Sequence, residues 1–307
     1  RNPITPTVVD IRAEFDLSSR NYSVDLSDVK GQENIKRAFE IAAAGGHNLI
    51  LIGPPGAGKT MIAKRLPTIL PPLHIDEALE TTKIHSVAGK LRKDDALLSV
   101  RPFRAPHHTI SDIALVGGGS FPQPGEISLA HHGVLFLDEF PEFPRAVLET
   151  LRQPIETGDV IVARANAHVR YPCRFMLVAA ANPCRCGYLA DPARSCARVP
   201  DCGADYMGRV SGPLLDRFDL RVEVPPVGIE DLALPASGEP SAVVAGRVAA
   251  ARALQRERFT AINGVRVNAD AEGDLLETIC AADENALALL RDIAARFRLS
   301  ARGYHRV

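Results

Sequence analysis

An excess of charge of either sign is missing from this 307-residue sequence. Thirty-six Lys and Arg face 37 Asp and Glu, leaving a net charge of −1. No global basic field advertises a nucleic-acid partner, so any such surface has to be local, a ring or a loop. Long hydrophobic runs are also missing. None approaches the roughly 20 apolar residues needed to cross a bilayer, and no membrane partner is expected. No signal peptide opens the chain, which starts with Arg1 rather than Met. The start reads as a cut within a longer protein, and Ser300 to Val307 reads as a helix just beginning. No solenoid repeat is visible. What remains, 46% hydrophobic and 24% charged residues, is the composition of a globular protein with a real core.

The most informative stretch is Gly53-Pro54-Pro55-Gly56-Ala57-Gly58-Lys59-Thr60. It follows the apolar run Asn48 to Ile52 and opens a helix-like run from Met61 to Leu70, so it fits G-x-x-x-x-G-K-[ST] in a strand-loop-helix context. The glycines let the backbone wrap around phosphates, with amide N–H groups and a helix start facing the negative charge. Lys59 can reach the terminal phosphates and Thr60 can hold Mg²⁺. A nucleoside triphosphate is the expected ligand, bound by Gly53 to Met61. A nucleotide loop without a signal implies the cytoplasm, where thiols stay reduced.

Residues 31–230 alternate short apolar runs with helical stretches, the sign of a layered α/β sheet. Expected strands are Asn48–Ile52, Val134–Asp138, Phe175–Ala180 and Leu220–Val224, with a weaker one near Val100–Phe103. Expected helices are Gln32–Ala44, Lys59–Leu70 and Pro144–Glu156. The implied order is a linker over residues 1–28, a nucleotide-binding core over 29–230, a linker over 231–240 and a small helical domain over 241–307. Ala114 to Glu126 reads as an exposed Gly/Pro-rich loop or hairpin with Phe121 its one aromatic. Val160–Ala163 and His168–Tyr171 read as a β-hairpin.

Val134-Leu135-Phe136-Leu137-Asp138-Glu139 places two carboxylates at the end of a buried strand, at the sheet edge where ligands bind in open α/β folds. Asp138 is expected in the Mg²⁺ shell, and Glu139 to orient or activate the attacking water. Asn182, also at a strand end, either senses the terminal phosphate or is a turn residue before Pro183. Arg217 either stabilises transition-state charge in trans or pairs locally with Asp216 or Asp219. Arg164, His168 and Arg170 on the hairpin suit phosphate contacts, although exposed hairpins are often basic. The pairs His107/His108 and His131/His132 read as structural or hydrogen-bonding, because adjacent residues of a helix do not face each other. Cys184, Cys186, Cys196 and Cys202 form C-x-C-x9-C-x5-C, either four thiolates for a structural Zn²⁺ or free thiols.

Taken together, the phosphate loop, LFLDEF, AAANPC and SGPLLDRFDL resemble the AAA+ ATPases of the magnesium-chelatase-like branch. FRAPHHTISDIALVGGGSFPQPGEISLAHHGVLFLDE and NPCRCGY narrow the resemblance, over about residues 25–307, to the ComM/YifB family. The resemblance implies a P-loop three-layer α/β/α core with a parallel sheet, followed by an all-helical lid. It also implies an ATP-hydrolysing homo-oligomeric ring, a hexamer, acting on single-stranded or branched DNA as a branch-migration helicase. By resemblance, Lys59 and Thr60 are the Walker A pair, Asp138 and Glu139 the Walker B pair, Asn182 sensor 1, Arg217 the arginine finger and Arg302 the sensor 2 arginine. Val29, Gly31 and Gln32 match the adenine-contacting segment. Ala114–Glu126 matches the helix 2 insert and Val160–Tyr171 the pre-sensor 1 hairpin, both facing the channel and DNA. The rival reading is a chelatase-type ATPase that remodels a protein partner.

Overall fold

The computed structural model describes residues 22–91, 97–119, 122–164, 167–189, 191–226, 228, 238–279 and 282–306. Most of the two expected linkers (1–21 and 231–237), Phe121, and the side chains of Arg164 and Arg302 lie outside the described residues.

Among the described residues nine strands are present: β1 Leu49–Ile52, β2 Phe103–Arg104, β3 Gly117–Gly118, β4 Gln123–Pro124, β5 Val134–Leu137, β6 Asp159–Arg164, β7 Ala167–Pro172, β8 Met176–Ala181 and β9 Leu220–Glu223. Five form a parallel sheet in the order β2-β5-β8-β1-β9. Four of the expected strands appear within a residue of their predicted bounds, whereas the weaker one, expected near Val100–Phe103, is the two-residue β2 and shares only Phe103 with that range. Every residue of β5 and β8 is buried, as near-continuous apolar runs require when helices cover both faces. The pleat divides these strands between two cores. Leu49, Leu51, Phe136, Val178 and Ala180 face one layer; Ile50, Leu135, Leu137, Leu177 and Ala179 face the other. Burying each large side chain contributes about 1.5–3 kcal/mol, so the period-2 pattern fixes three layers, α/β/α.

Helix Glu33–Gly45 matches the expected Gln32–Ala44. Two other helices are broken where one was expected. After the phosphate loop, helix Lys59–Ala63 gives way to a 3-10 turn over Leu66–Ile69, because Pro67 has no N–H to continue the α pattern. The expected Pro144–Glu156 helix is two, Arg145–Glu149 and Arg152–Thr157. Pro154 is tolerated because it falls in the first turn of the second. Helix Ile75–Val87 was not anticipated from the sequence.

One boundary is corrected. Residues 25–28, read as linker, belong to the core: Leu26 is fully buried and its N–H donates to Ser241 Oγ at 2.7 Å. Of the two forms expected for Ala114 to Glu126, loop or hairpin, the structure has the hairpin, β3 pairing antiparallel with β4. The segment begins within helix Asp112–Val116, whose Leu115 is fully buried, and its tip carries the short β3–β4 pair.

The C-terminal region is helical among the described residues. Its first helix, Ser241–Arg258, docks on Glu33–Gly45. Arg252 Nε and Nη2 donate to Ala43 O at 3.0 and 2.8 Å, and Gln255 Nε2 to Ala44 O at 2.9 Å. These bonds answer the orphan carbonyls that any helix leaves at its C-terminus. Helices Asp274–Ile279, Glu284–Phe297 and Ala301–Arg306 follow.

Candidate functional site

The carboxyl edge of the parallel sheet gathers most of the predicted residues. The chain leaves β1 at Ile52 and turns through the glycine loop, in which Gly56 and Gly58 have φ of 78° and 81°, a region that side chains with a Cβ rarely occupy. Pro55 and Gly56 are exposed at the mouth. Lys59 is 8% exposed. Its Nζ donates to Gly53 O at 2.7 Å, Pro54 O at 2.9 Å and Asn182 Oδ1 at 3.1 Å. Burial lowers its pKa, against the opposing pull of the Asp138 and Glu139 carboxylates. Thr60 Oγ1 donates to Asp138 Oδ2 at 2.5 Å. The glycine loop, one cation, a hydroxyl-carboxylate pair and an amide thus converge from β1, β5 and β8. This donor set suits a phosphate chain and its divalent cation: N–H groups and Lys59 for the anion, Thr60 and Asp138 for the metal.

Glu139 follows Asp138 with φ 52°, which turns its side chain away from the strand. Its Oε2 lies 2.9 Å from His108 Nδ1. His108 comes from the loop after β2, and sequence reasoning missed its partnership with the acid. The only signal was its place in the FRAPHHT segment.

Val29 is buried, while Gly31 and Gln32 take left-handed backbone conformations. Gln32 Nε2 donates to Pro225 O at 2.9 Å. Arg65, just past the phosphate-loop helix, bonds Asp25 O at 2.8 Å and Asp28 Oδ2 at 2.9 Å. The N-terminal segment is therefore tied to the phosphate loop.

The structure does not bring Arg217 to this site. It precedes β9, whose Leu220 pairs with Leu49, so it stands at the amino edge of the sheet, opposite the phosphate loop. Its guanidinium, 8% exposed by residue, donates through Nη2 to Glu156 Oε1 and through Nη1 to Pro213 O. The local partners considered from spacing are engaged elsewhere. Asp219 accepts from Asn48 N at 3.1 Å, and Asp216 lies 3.8 Å from Arg221.

The predicted hairpin is β6–β7, with Val162 paired to Val169. Its root packs on the glycine-rich insert: Tyr171 Oη donates to Pro122 O at 2.8 Å, and a Cβ on Gly117 would stand 3.1 Å from Val162 Cγ2. His168 is exposed. Arg170 is exposed but already paired with Asp159 across the ladder.

The reading of the histidine pairs as helix neighbours that cannot meet is corrected. His132 has φ 57°, and the rings of His131 and His132 lie 3.8 Å apart. Both address Glu80, with Nε2 to Oε2 distances of 3.2 and 3.0 Å. This trio has a metal-like spacing. However, His131 Nδ1 accepts the Arg174 N–H at 3.0 Å, so in the neutral ring Nε2 carries the proton and has no lone pair for a metal. The trio is a hydrogen-bonded clamp between helix Ile75–Val87 and the turn before β5. Burial, then the neighbouring His132, lowers the His131 pKa to about 4. Below pH ~6.5 the unfolded chain takes up a proton that the folded chain refuses. The clamp's contribution is therefore complete above that value and is lost as pH falls through about 4, a loss of about 3 kcal/mol. Urea midpoints measured across this window should fall steeply for the wild type and less steeply for His131→Gln. Superimposable profiles would refute the assignment.

The four predicted cysteines meet. Cys184 and Cys186 Sγ are 3.1 Å apart. Cys186 also contacts Cys196, and Cys202 contacts both Cys196 and Cys184, so the thiols form a closed circuit. The Tyr188 N–H, the Cys184 thiol and the Cys196 N–H draw the Cys186 pKa down to about 7, whereas burial pushes Cys202 up to about 12. The four cysteines are free thiols gathered in one segment, and among the described residues they do not share the mutual spacing that sets Glu80, His131 and His132 apart as a metal-like group. The loop abuts the phosphate site: a Cβ on Gly187 would lie 2.6 Å from Pro55 Cδ.

Comparisons with known proteins agree with this geometry. The model of the magnesium chelatase subunit ChlI family matches residues 25–232, and that of its C-terminal domain matches residues 238–307. The chain is 47% identical over 297 residues to the uncharacterized protein YifB of Salmonella typhimurium, covering 95% of this chain and 56% of that one. It is 45% identical over 307 residues to the competence protein ComM of Haemophilus influenzae, covering 99% and 58%. The chain thus spans little more than half the length of these relatives. The 38 kDa magnesium-chelatase subunit of Rhodobacter capsulatus is 27% identical over 218 residues, covering 65% and 55%. A cryo-EM-based structure of the BchI–BchD complex of magnesium chelatase superposes with a TM-score of 0.50, covering 91% of each chain at 20% identity, which speaks for the fold. The matched family spans, the identity to ComM and YifB and the three-layer core with its helical C-terminal region make the chain a member of the ComM/YifB family, in the magnesium-chelatase-like branch of AAA+ proteins.

Proposed function

We propose that this chain is the motor module of an ATP-hydrolysing ring, a homohexamer that translocates on DNA as a branch-migration helicase. The observation that carries the hydrolytic part is the convergence of Lys59, Thr60, Asp138 and Asn182 on the phosphate loop, with Glu139 beside it. Lys59 and the loop N–H groups orient the phosphates. Thr60 and Asp138 hold Mg²⁺, which when bound offsets phosphate charge. Glu139 leaves His108 to align a water, Asn182 reports on the terminal phosphate, and Met61 borders the loop. Arg217 completes the site of a neighbouring subunit, and Arg302 serves it from the lid. Val29, Gly31 and Gln32 border the base.

The DNA part is supported by the exposed β6–β7 hairpin with His168, by its packing on the glycine-rich insert, and by the likeness to a protein named for competence. Arg164 and Arg170 are assigned to the same contact, Arg170 by exchanging Asp159 for a phosphate. The cysteine circuit is assigned a structural Zn²⁺. The cytoplasm is the proposed compartment.

Steady-state ATPase without DNA, with single strands and with four-way junctions tests the reading, with Lys59→Ala as the blank. Stimulation by DNA of about ten-fold is expected. Robust hydrolysis indifferent to DNA would instead favour a motor that remodels a protein partner, the reading supported by the ChlI family match.

A further inference from the structure

The Arg217 pair joins two parts of the molecule that the proposed function treats separately. Glu156 stands in the last turn of helix Arg152–Thr157, and only Thr157 and Gly158 separate it from Asp159, the first residue of β6. That junction is stiff. Thr157 Oγ1 donates to Gln153 O and to Asp159 O, both at 3.1 Å. Gly158 N donates to Pro154 O and Cys173 N to Gly158 O, each at 2.9 Å, so both ends of the hairpin root are tied. Gly158 has φ 70°, and a Cβ there would lie 2.7 Å from Arg174 Cγ. A displacement of Glu156 is therefore passed to β6–β7 as a rigid movement rather than absorbed in a loop.

At the other end, Arg217 is held but not satisfied. Nη2 is on Glu156 and Nη1 on the Pro213 carbonyl, whereas Nε is buried without an acceptor. A guanidinium in this condition gains by turning to a phosphate, which offers several acceptors in fork geometry. The Glu156 side chain is 46% exposed and the Arg217 side chain 10%. The carboxylate thus has water available when the pair opens, which keeps opening accessible.

We propose that Glu156 is the positioning residue that couples Arg217 to the β6–β7 hairpin, so that engagement of a neighbour's nucleotide by Arg217 moves the hairpin through this one ion pair. The proposal rests on the reading of Arg217 as a finger and of the hairpin as the DNA-contacting element. It assigns Glu156 no contact with the nucleotide.

The test compares assembled rings of wild type, Glu156→Gln and Glu156→Asp for ATPase with and without single-stranded DNA, together with the KM for ATP and the melting temperature. For Glu156→Gln the ratio of stimulated to basal rate should collapse to about 1 while KM stays within about two-fold. Glu156→Asp keeps the charge but shortens the reach, and should retain a ratio between the two. A purely structural role would lower melting temperature and both rates while preserving the ratio, and that result overturns the proposal. If Glu156→Gln does not assemble, the aspartate variant decides, and an undiminished ratio there also overturns the coupling. A wild type indifferent to DNA removes the functional reading itself, and the coupling with it.

Discussion

Arg217→Ala is expected to lower ATP turnover by about 10³-fold or more, the loss typical of an arginine finger, while nucleotide affinity should change by less than about three-fold. The geometry gives the reason. The phosphate loop opens after Ile52 at the carboxyl edge of the sheet, whereas Arg217 lies before Leu220 at the amino edge. The length of the strand between them, about 13 Å for four residues, keeps the guanidinium away from its own chain's phosphates. In the proposed role its chemistry therefore goes to a neighbouring subunit. Mixing decides this. Rings of Arg217→Ala and Glu139→Gln subunits contain junctions at which an intact acid faces an intact arginine, so hydrolysis should recover to a substantial fraction of wild type. Absence of recovery in rings shown to be mixed would sink the shared site. Purified Arg217→Ala should still bind a fluorescent ATP analogue.

Under the proposed zinc assignment, Cys202→Ser should abolish metal binding and loosen the nucleotide site in one step. Wild type purified without chelators is expected to carry about one zinc per chain, and the serine variant far less, since the loop is held by four thiols and a structural zinc supplies folding energy directly. A loss of about 3–5 kcal/mol would lower the melting temperature by roughly 10 °C for a chain of this size. The consequence extends to ATP because Gly187 is packed against Pro55 and Asn182, the partner of Lys59, precedes Cys184 by two residues. A loosened cysteine loop should therefore raise the KM for ATP as well. Metal analysis showing no zinc, with all four thiols reacting rapidly in the native protein, would dismiss the site.

What could be read from the sequence follows a physical division. Strands such as β5 and β8 were legible because burial on both faces demands an unbroken apolar run. The phosphate loop was legible because its chemistry fixes spacing along the chain. Helix Ile75–Val87 was not. It buries Ala78, Thr81, Ile84 and His85 while Ile75, Leu79 and Val87 face solvent, so its apolar residues do not mark its inner face. The histidine clamp was hidden because it depends on a left-handed backbone at His132, which no propensity for histidine announces. The partner of Arg217 was equally hidden. Asp216 and Asp219 are near in sequence, but Glu156, 61 positions away, is the residue that the packing of helix Arg152–Thr157 delivers.

The contact between His108 and Glu139 has a consequence for economy. The Glu139 carboxylate lies 2.9 Å from His108 Nδ1, a side chain on the loop that leaves the adjacent strand β2. In the proposed role of Glu139, aligning a water therefore has to displace an existing partner. With Glu139 and Arg217 in their proposed roles, a lone subunit is restrained twice, by an occupied acid and by the want of a neighbour's arginine. Two separate locks in series multiply, so the fuel consumed by unassembled chains is the product of two small numbers rather than one.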